Sequence, residues 1–481
     1  MRVVYTRCAG LDVHKKSVNV CIRDGKGKKL MVETAVFGTF TGDLERLRDL
    51  LRKHKIRRLV MESTGVYWMP VWNVLERGDW QFDLVLVNPQ HVHALPGRKT
   101  DRQDCERLAE LGQYDLLRGS FIPPREIREL RELTRRRTHL TQDRNRVMNR
   151  IARLLETANY KLGSVVSDLD GKTGWLILNA LAEGETSPHQ LAGLAQGRLR
   201  NRRSELANSL RAYASDHFRW LLRQMLDDLA TLDRKLNELD ERLRERMQPH
   251  ADAIARLCTI PGVQEITAWT LIAELGIDMS RFPDAEHAAS WAGLCPGNEE
   301  SAGKRQSGRT RKGDRYLRRG LVQSAWTVAH KKDCFLTALL LRVACRRGMK
   351  KAIIAVAHRM LIIAWHILRD GSVYHEQGGD YYDRRNPAAT ARRLTRRLQR
   401  LGFEVTLAKK DEAATLPPKP IRNGITRWQG SRPIQRQVAE AGPPATRELC
   451  RQCASWGIPC IHARNANFKA HRTHNCEPSA T

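Results

Sequence analysis

Acidic residues are scarce relative to basic ones in this 481-residue sequence: Asp and Glu number 53 against 83 Lys and Arg, for a formal net charge of +30. An excess of that size requires a polyanion as partner. Nucleic acid is the usual one, and an anionic membrane surface is the alternative. Long apolar runs are also lacking. Residues 1–10 carry no signal-peptide stretch. The most apolar segment, Ala352–Leu368, is interrupted by His358 and Arg359 and is too short for a bilayer span, so it reads as a buried helix and no membrane partner is expected. A disulfide framework is missing as well. Of eleven cysteines, seven scatter through expected core elements, and only Cys450, Cys453, Cys460 and Cys476 cluster. That usage points to a reducing, cytoplasmic setting.

What is present divides into four segments, for a length that suggests about three domains. Residues 1–124 alternate strand and helix signals. Gly10–Arg23 and Lys29–Phe37 read as strands joined by a turn at Asp24–Gly27, and Asp43–His54 as a helix. Arg58–Glu62 and Phe82–Asn88 read as strands flanking a helix at Val66–Arg77. Thr100 looks like a helix cap completed by Gln103. This is a mixed α/β pattern. Residues 125–250 change period: Leu133, Leu140, Val147 and Leu154 recur every seven, and Leu130 and Ile151 fill the companion seam, interrupted by Arg137 and Arg144. Met225, Leu229, Leu232, Leu236, Leu239 and Leu243 alternate steps of four and three. Both stretches predict long helices of a coiled coil, with 160–215 as a small tip. Residues 251–370 read as a helical unit opening on a helix-hairpin-helix around Pro261-Gly262, whose turn would present N–H groups to a phosphate. Residues 371–481 form a basic extension, with a helix at Ala389–Gly402, a short strand at Phe403–Leu407 and a linker at Pro417–Pro444.

Four carboxylates carry the chemistry. Asp12 lies within a strand-like run, Glu62 ends another, and Asp101 and Asp104 share the first turn of a helix. Taken singly, each has an ordinary reading: a helix-start acid for Asp101, a strand-end acid for Glu62. Taken together, strand, strand and helix, they suit two magnesium ions, and such pairs of ions cut phosphodiesters. Asp12 between Leu11 and Val13 is costly unless paired or metal-bound.

Two further clusters stand out. Gly297–Arg319 is a basic loop holding Ser301 and Ser307 among Lys304, Arg305, Arg309, Arg311, Lys312 and Arg315. A serine there could attack phosphorus while the bases hold phosphate, or the loop could only grip DNA. Near the end, Cys450, Cys453, Cys460 and His462 have the composition of a zinc site, although Cys-x-His is a tight half. The other reading is a tail with incidental thiols.

These residues resemble a known family. Gly10-Leu11-Asp12-Val13-His14-Lys15, Met61-Glu62-Ser63-Thr64-Gly65-Val66-Tyr67-Trp68 and Lys99-Thr100-Asp101-Arg102-Gln103-Asp104 are similar to the transposases of the insertion-sequence 110 family, near its 1111 subgroup. So are Ile260-Pro261-Gly262-Val263, Ser290–Gly297 and Ser301-Ala302-Gly303-Lys304, and the resemblance covers nearly the whole chain. It implies a RuvC-like, RNase H-type first domain with Asp12, Glu62, Asp101 and Asp104 as a DEDD set binding magnesium. It also implies a coiled coil for oligomerisation, as dimer or tetramer, and a helical transposase domain with Ser301 as nucleophile and Ser307 as rival. The implied mechanism is a composite site and a phosphoserine link to donor or target DNA, with sequence chosen by a structured bridge RNA. A bacterial, nucleoid-associated protein is expected. Two other readings stay open: a RuvC-like junction-resolving nuclease that only hydrolyses, and a non-catalytic nucleic-acid binder.

Overall fold

Period-two alternation in Arg7–Val13 puts Ala9, Leu11 and Val13 on one face and Cys8, Gly10 and Asp12 on the other, and every one of these except Arg7 is buried. In the computed structural model this strand, β1, is the centre of a five-stranded sheet. The structure describes residues 2–62, 65–78, 80–88, 101–117, 119–297, 299–301, 304–307 and 309–407. Side chains are described for all of these except 101–103, 299–301 and 304–307. The chain divides into two compact units, one built from 1–254, 268–288 and 368–371, the other from 255–267, 289–367 and 372–481.

In the first unit, β1 pairs antiparallel with β2 (Ser17–Asp24), which pairs antiparallel with β3 (Met31–Gly38). On its other side β1 runs parallel to β4 (Arg58–Glu62), and β4 parallel to β5 (Asp83–Val87), giving the order β3-β2-β1-β4-β5. The stretch expected as one strand, Gly10–Arg23, is thus parts of two. The chain reverses at His14–Lys16, closed by the His14 N–H donating to Ser17 O at 2.9 Å, and neither Gly nor Pro marks the turn.

Helices α1 (Thr41–Lys53) and α2 (Trp68–Leu75) cover one sheet face, burying Leu44, Leu47, Leu51, Val71 and Leu75 against Leu11, Leu59 and Met61. Helix α3 (Asp101–Gln113) covers the other, with Leu108 packed among Cys8, Val60 and Val85. Two glycines set how closely it sits. A Cβ on Gly10 would meet Cys105 O at 2.2 Å, and one on Gly112 would meet Val60 Cγ2 at 2.7 Å.

Beyond the sheet, α4 (Arg125–Thr157) and, after four short tip helices, α9 (Asp216–Met247) pack antiparallel. The tip helices are α5 (Leu162–Val165), α6 (Lys172–Glu183), α7 (Pro188–Gly193) and α8 (Arg203–Ser209). The tip is a packed core in which Ile177, Leu181, Leu191, Leu206 and Leu210 are fully buried. The arginines that interrupt the heptad seam are matched from the facing helix. Arg137 makes a two-point pair with Asp240 (2.6 and 3.0 Å), and Arg144 bridges Asp233 and Asp170.

Helices α10 (Ala251–Cys258) and α11 (Glu265–Leu275) flank the expected Pro-Gly turn; the turn lies in the second unit, and α11 from Ala268 onward in the first. That turn is directed inward. Pro261 is buried, and a Cβ on Gly262, at φ +85°, would meet Ser324 O at 2.6 Å on α13 (Arg315–Val328). The glycine's reason here is close packing, a different role from the phosphate contact expected of Pro261 and Gly262. After α12 (Ala285–Trp291) and α13 come α14 (Phe335–Arg347) and α15 (Met349–Asp370). Helix α15 is longer than expected. It has 22 residues, and its most apolar 18-residue window has a mean hydropathy of 1.5; among the described residues it is the one helix long and apolar enough to cross a membrane, and 61% of that window is buried inside the protein.

The following segment folds back on α14. Glu376 accepts from the Phe335 N–H at 2.8 Å, and the Phe335 ring packs on Tyr381 and Tyr382. Helices α16 (Tyr381–Arg385) and α17 (Pro387–Arg400) end the described chain. Phe403–Leu407 is not a strand. Cys450, Cys453, Cys460 and His462 lie outside the described residues.

Candidate active site

The register of β1 on β4 aligns Gly10 with Val60 and Leu11 with Met61, so the next step along both strands brings Asp12 beside Glu62. Alternation puts both acids on the α3 face, because Gly10 touches α3 and Val60 packs with Leu108. Helix α3 runs antiparallel to β1. Its last residue, Gln113, accepts from the Val4 and Tyr5 N–H groups before β1 begins, while Cys105 lies against Gly10 farther along the strand. The start of α3, with Asp101 and Asp104, therefore faces the carboxyl ends of β1 and β4. The sheet and one helix thus bring the four expected acids to one end of one face. Asp104 and Glu62 are half-buried; for Asp101 only the backbone is described.

Asp12 is 7% exposed. Its Oδ2 lies 2.9 Å from Nε2 of His14, which is two residues on and on the same side of the chain. This pairing offsets part of the desolvation cost of a carboxylate in a strand. Sequence reasoning passes over His14, because it lies in the turn after β1 and no periodic pattern marks it. A small buried cluster of Cys21, Cys105 and Ala109 lies between this sheet face and α3. Burial pushes the Cys105 thiol up to about 12, with the Cys21 thiol and the Asp12 charge adding to it. Burial likewise pushes Cys8 up to about 12. A low-polarity floor of this kind strengthens any charge interaction at its rim.

Hard carboxylate oxygens suit magnesium, and the chemistry of this donor set fits that ion. Among the described residues, no three His, Cys, Asp or Glu side chains are already gathered as a metal-holding group.

In the second unit the basic loop is a β-hairpin. Strand β6 (Glu299–Ser301) pairs antiparallel with β7 (Lys304–Ser307), with Ser301 opposite Lys304 and Ser307 opposite Glu299. Ser301 is next to the hairpin's end and Ser307 is at its base, where Gly297 N–H donates to Arg309 O at 2.8 Å. The base is closed by backbone contact. Gly293 (φ +70°) and Gly313 approach so closely that a Cβ on Gly313 would lie 2.2 Å from Gly293 N. Asp314 then caps α13, accepting from the N–H groups of Tyr316 and Leu317 at 2.9 and 2.7 Å. Arg309, Arg311, Lys312 and Arg315 are exposed around this base. A short two-residue link containing glycine, Ala302-Gly303, is the sequence signal for the hairpin, masked by its basic setting.

Comparison with known proteins gives matches in two stretches of the chain. Residues 9–160 match the family model of IS110-type DEDD proteins described as transposase, and residues 254–339 match the one described as transposase IS116/IS110/IS902 family. An uncharacterized 42 kDa protein of insertion element IS900 from Mycobacterium paratuberculosis is 28% identical over 61% of this chain and 80% of its own. The transposase for insertion sequence element IS1111A of Coxiella burnetii is 24% identical over 76% of this chain and 90% of its own. The pilin gene-inverting protein of Moraxella bovis is 22% identical over 76% and 97%.

Proposed function

The chain belongs to the IS110 family of transposases and is an enzyme acting on DNA; from that premise we propose that it cuts and rejoins DNA using carboxylates held on the five-stranded sheet. The observation that carries this reading is the meeting of Asp12 and Glu62, on adjoining parallel strands, with the α3 N-terminus that bears Asp101 and Asp104. The order β3-β2-β1-β4-β5 supports a RuvC-like, RNase H-type assignment for residues 1–124. The relatives named as pilin gene-inverting proteins favour strand exchange over simple hydrolysis.

Asp12, Glu62, Asp101 and Asp104 would hold magnesium, which when bound supplies polarisation of the phosphodiester and stabilisation of the leaving oxygen. His14 orients Asp12. The positive end of the α3 dipole lies at the acids. Ser301 is the nucleophile of this reading: its Oγ forms a bond to phosphorus, the DNA strand leaves with a free hydroxyl, and attack by another strand's hydroxyl releases the serine. Ser307 is the rival. Lys304, Arg305, Arg309, Arg311, Lys312 and Arg315 hold phosphates. A bridge RNA that selects donor and target DNA, a coiled-coil oligomer built through α4 and α9, a zinc site at Cys450, Cys453, Cys460 and His462, and a nucleoid location complete the proposal.

Strand exchange by the purified protein, measured on paired DNA substrates over a magnesium titration, tests it. Asp12→Asn should lower the rate by more than about a hundredfold, since loss of a ligand should exceed the 10–100-fold typical of its supporting partners. An unchanged rate would refute the carboxylate site. If Ser301→Ala and Ser307→Ala both retain exchange, the serine step is wrong; if the wild-type protein cuts DNA junctions but exchanges no strands, the junction-resolving nuclease reading takes its place.

A further inference from the structure

A cleft of about 1130 Å³ lies in the second unit between α14, α16 and α17. Of its lining residues, Arg342 and Arg346 come from α14, and Arg392, Arg393, Arg396, Arg397 and Arg400 from α17; Asp383 is the one acid among them. The α17 arginines reach solvent along the rim. All seven lie beyond residue 339, where the second family match ends, and none belongs to the hairpin or the carboxylate site.

The cleft is held in shape. Asn386 caps α17, its side chain accepting from the Ala389 N–H at 3.1 Å, with Pro387 in the first turn. The Phe335–Tyr381–Tyr382 ring cluster ties α16 to α14, and Arg342 stacks on Tyr382 with its guanidinium 4.8 Å from the ring centre. Asp383 takes up one arginine, Arg393, at 3.2 Å. Seven guanidinium groups and one carboxylate line the cleft, a strongly positive set that favours an added anion. The cations are all arginine and none is lysine, which favours planar, two-point recognition of phosphate. On α17 they recur every three or four residues, so at 1.5 Å per residue they form a row with steps of roughly 5 Å. A row suits a repeating anion better than a single small one.

We propose that this arginine cleft is a second nucleic-acid site, which grips a phosphodiester backbone independently of the carboxylate site and without reading sequence. It rests on the reading of the chain as an enzyme with a nucleic-acid substrate. It does not require the serine or the metal. Backbone contacts of this kind position a substrate and carry most of its salt dependence.

The test uses the full chain and two probes of one length and scrambled sequence, a duplex DNA and an RNA, with binding followed by fluorescence anisotropy from low to moderate salt. The variant R392Q/R396Q/R400Q should bind at least one probe about tenfold or more weakly. Its plot of log affinity against log salt should be shallower by about 0.9 for each phosphate left unneutralised on duplex DNA, or about 0.7 on a single strand. Weaker binding of the duplex alone identifies DNA as the occupant, of the RNA alone identifies RNA, and of both identifies the shared backbone. Unchanged affinity and slope on both probes overturn the proposal. So does an equal weakening in K235Q/R242Q/R244Q, which removes the same charge from α9. A fold-independent check uses Cys345, which lines the cleft, against Cys258, which does not and is also exposed. Bound nucleic acid should protect Cys345 from maleimide in the wild-type protein and leave Cys258 reactive; equal labelling with and without probe counts against the cleft. Asp12→Asn should bind like wild type while losing strand exchange. If exchange survives Asp12→Asn yet the cleft variant binds weakly, the carboxylate reading fails and the cleft stands.

Discussion

Asp12 shows the tension in this molecule at its smallest scale: a carboxylate 7% exposed, in the central strand, beside a half-exposed histidine at 2.9 Å. An acid so placed is kept by function or by pairing; the pairing with His14 is present, and the function is the one we propose. We expect His14→Ala to reduce strand exchange 10–100-fold and to raise the magnesium concentration needed for half-maximal rate, as removal of a group that orients a ligand should. A slower rate with no change in magnesium dependence would make His14 merely structural. The neighbouring thiols give a pH prediction. Cys8 and Cys105 have values pushed up to about 12 by burial. A raised thiol value keeps the neutral form dominant until the pH approaches 12, so neither should react with iodoacetamide in the native protein at pH 8. Peptide mapping by mass spectrometry should find both unmodified and the exposed Cys258 and Cys345 modified. All four carboxylates are legible in the sequence because strand and helix periods place them. His14 is equally visible there, yet a turn histidine carries no signal until the strand register is known.

Elements explain what sequence can and cannot give. Arg58–Glu62 is the strand its apolar run predicts, and the long helices begin and end near their periodic residues. Arg137 and Arg144 read as interruptions, because their partners Asp240 and Asp233 lie about a hundred residues away and only the antiparallel packing of α4 on α9 unites them. Phe403–Leu407 has strand composition but no strand forms there, and composition alone does not make one. Gly10 reads in the sequence as part of a motif, while its physical task is to admit α3. Gly10→Ala places a methyl 2.2 Å from Cys105 O and should lower stability by at least about 1–3 kcal/mol, seen as a lower denaturation midpoint. It should also reduce strand exchange by more than the fall in folded protein, because α3 carries two of the acids. Helix α11 is fastened to α4 through Glu274, which is fully buried and held by Arg135 at 2.8 Å through both oxygens and by Arg131 at 2.9 Å. Glu274→Ala leaves the Arg135 guanidinium without its carboxylate, while Arg131 keeps the Ala273 and Glu274 carbonyls, and should cost about 3–5 kcal/mol in chemical denaturation. A change under about 1 kcal/mol would show that water replaces the carboxylate.

The sequence carries a surplus of thirty positive charges, and among the described residues arginines line the α14–α17 cleft and surround the hairpin base. The carboxylate end of the sheet is the counterpart, a small acidic site in a basic protein. Such a division suits a chain that binds phosphates broadly and does chemistry at one place. The most direct measurement of the central claim is mass spectrometry of the protein after reaction with DNA and nuclease trimming. A nucleotide adduct on the peptide containing Ser301, present with magnesium and absent in Asp12→Asn, is the predicted result. DNA strands exchanged with no adduct on any serine would contradict it.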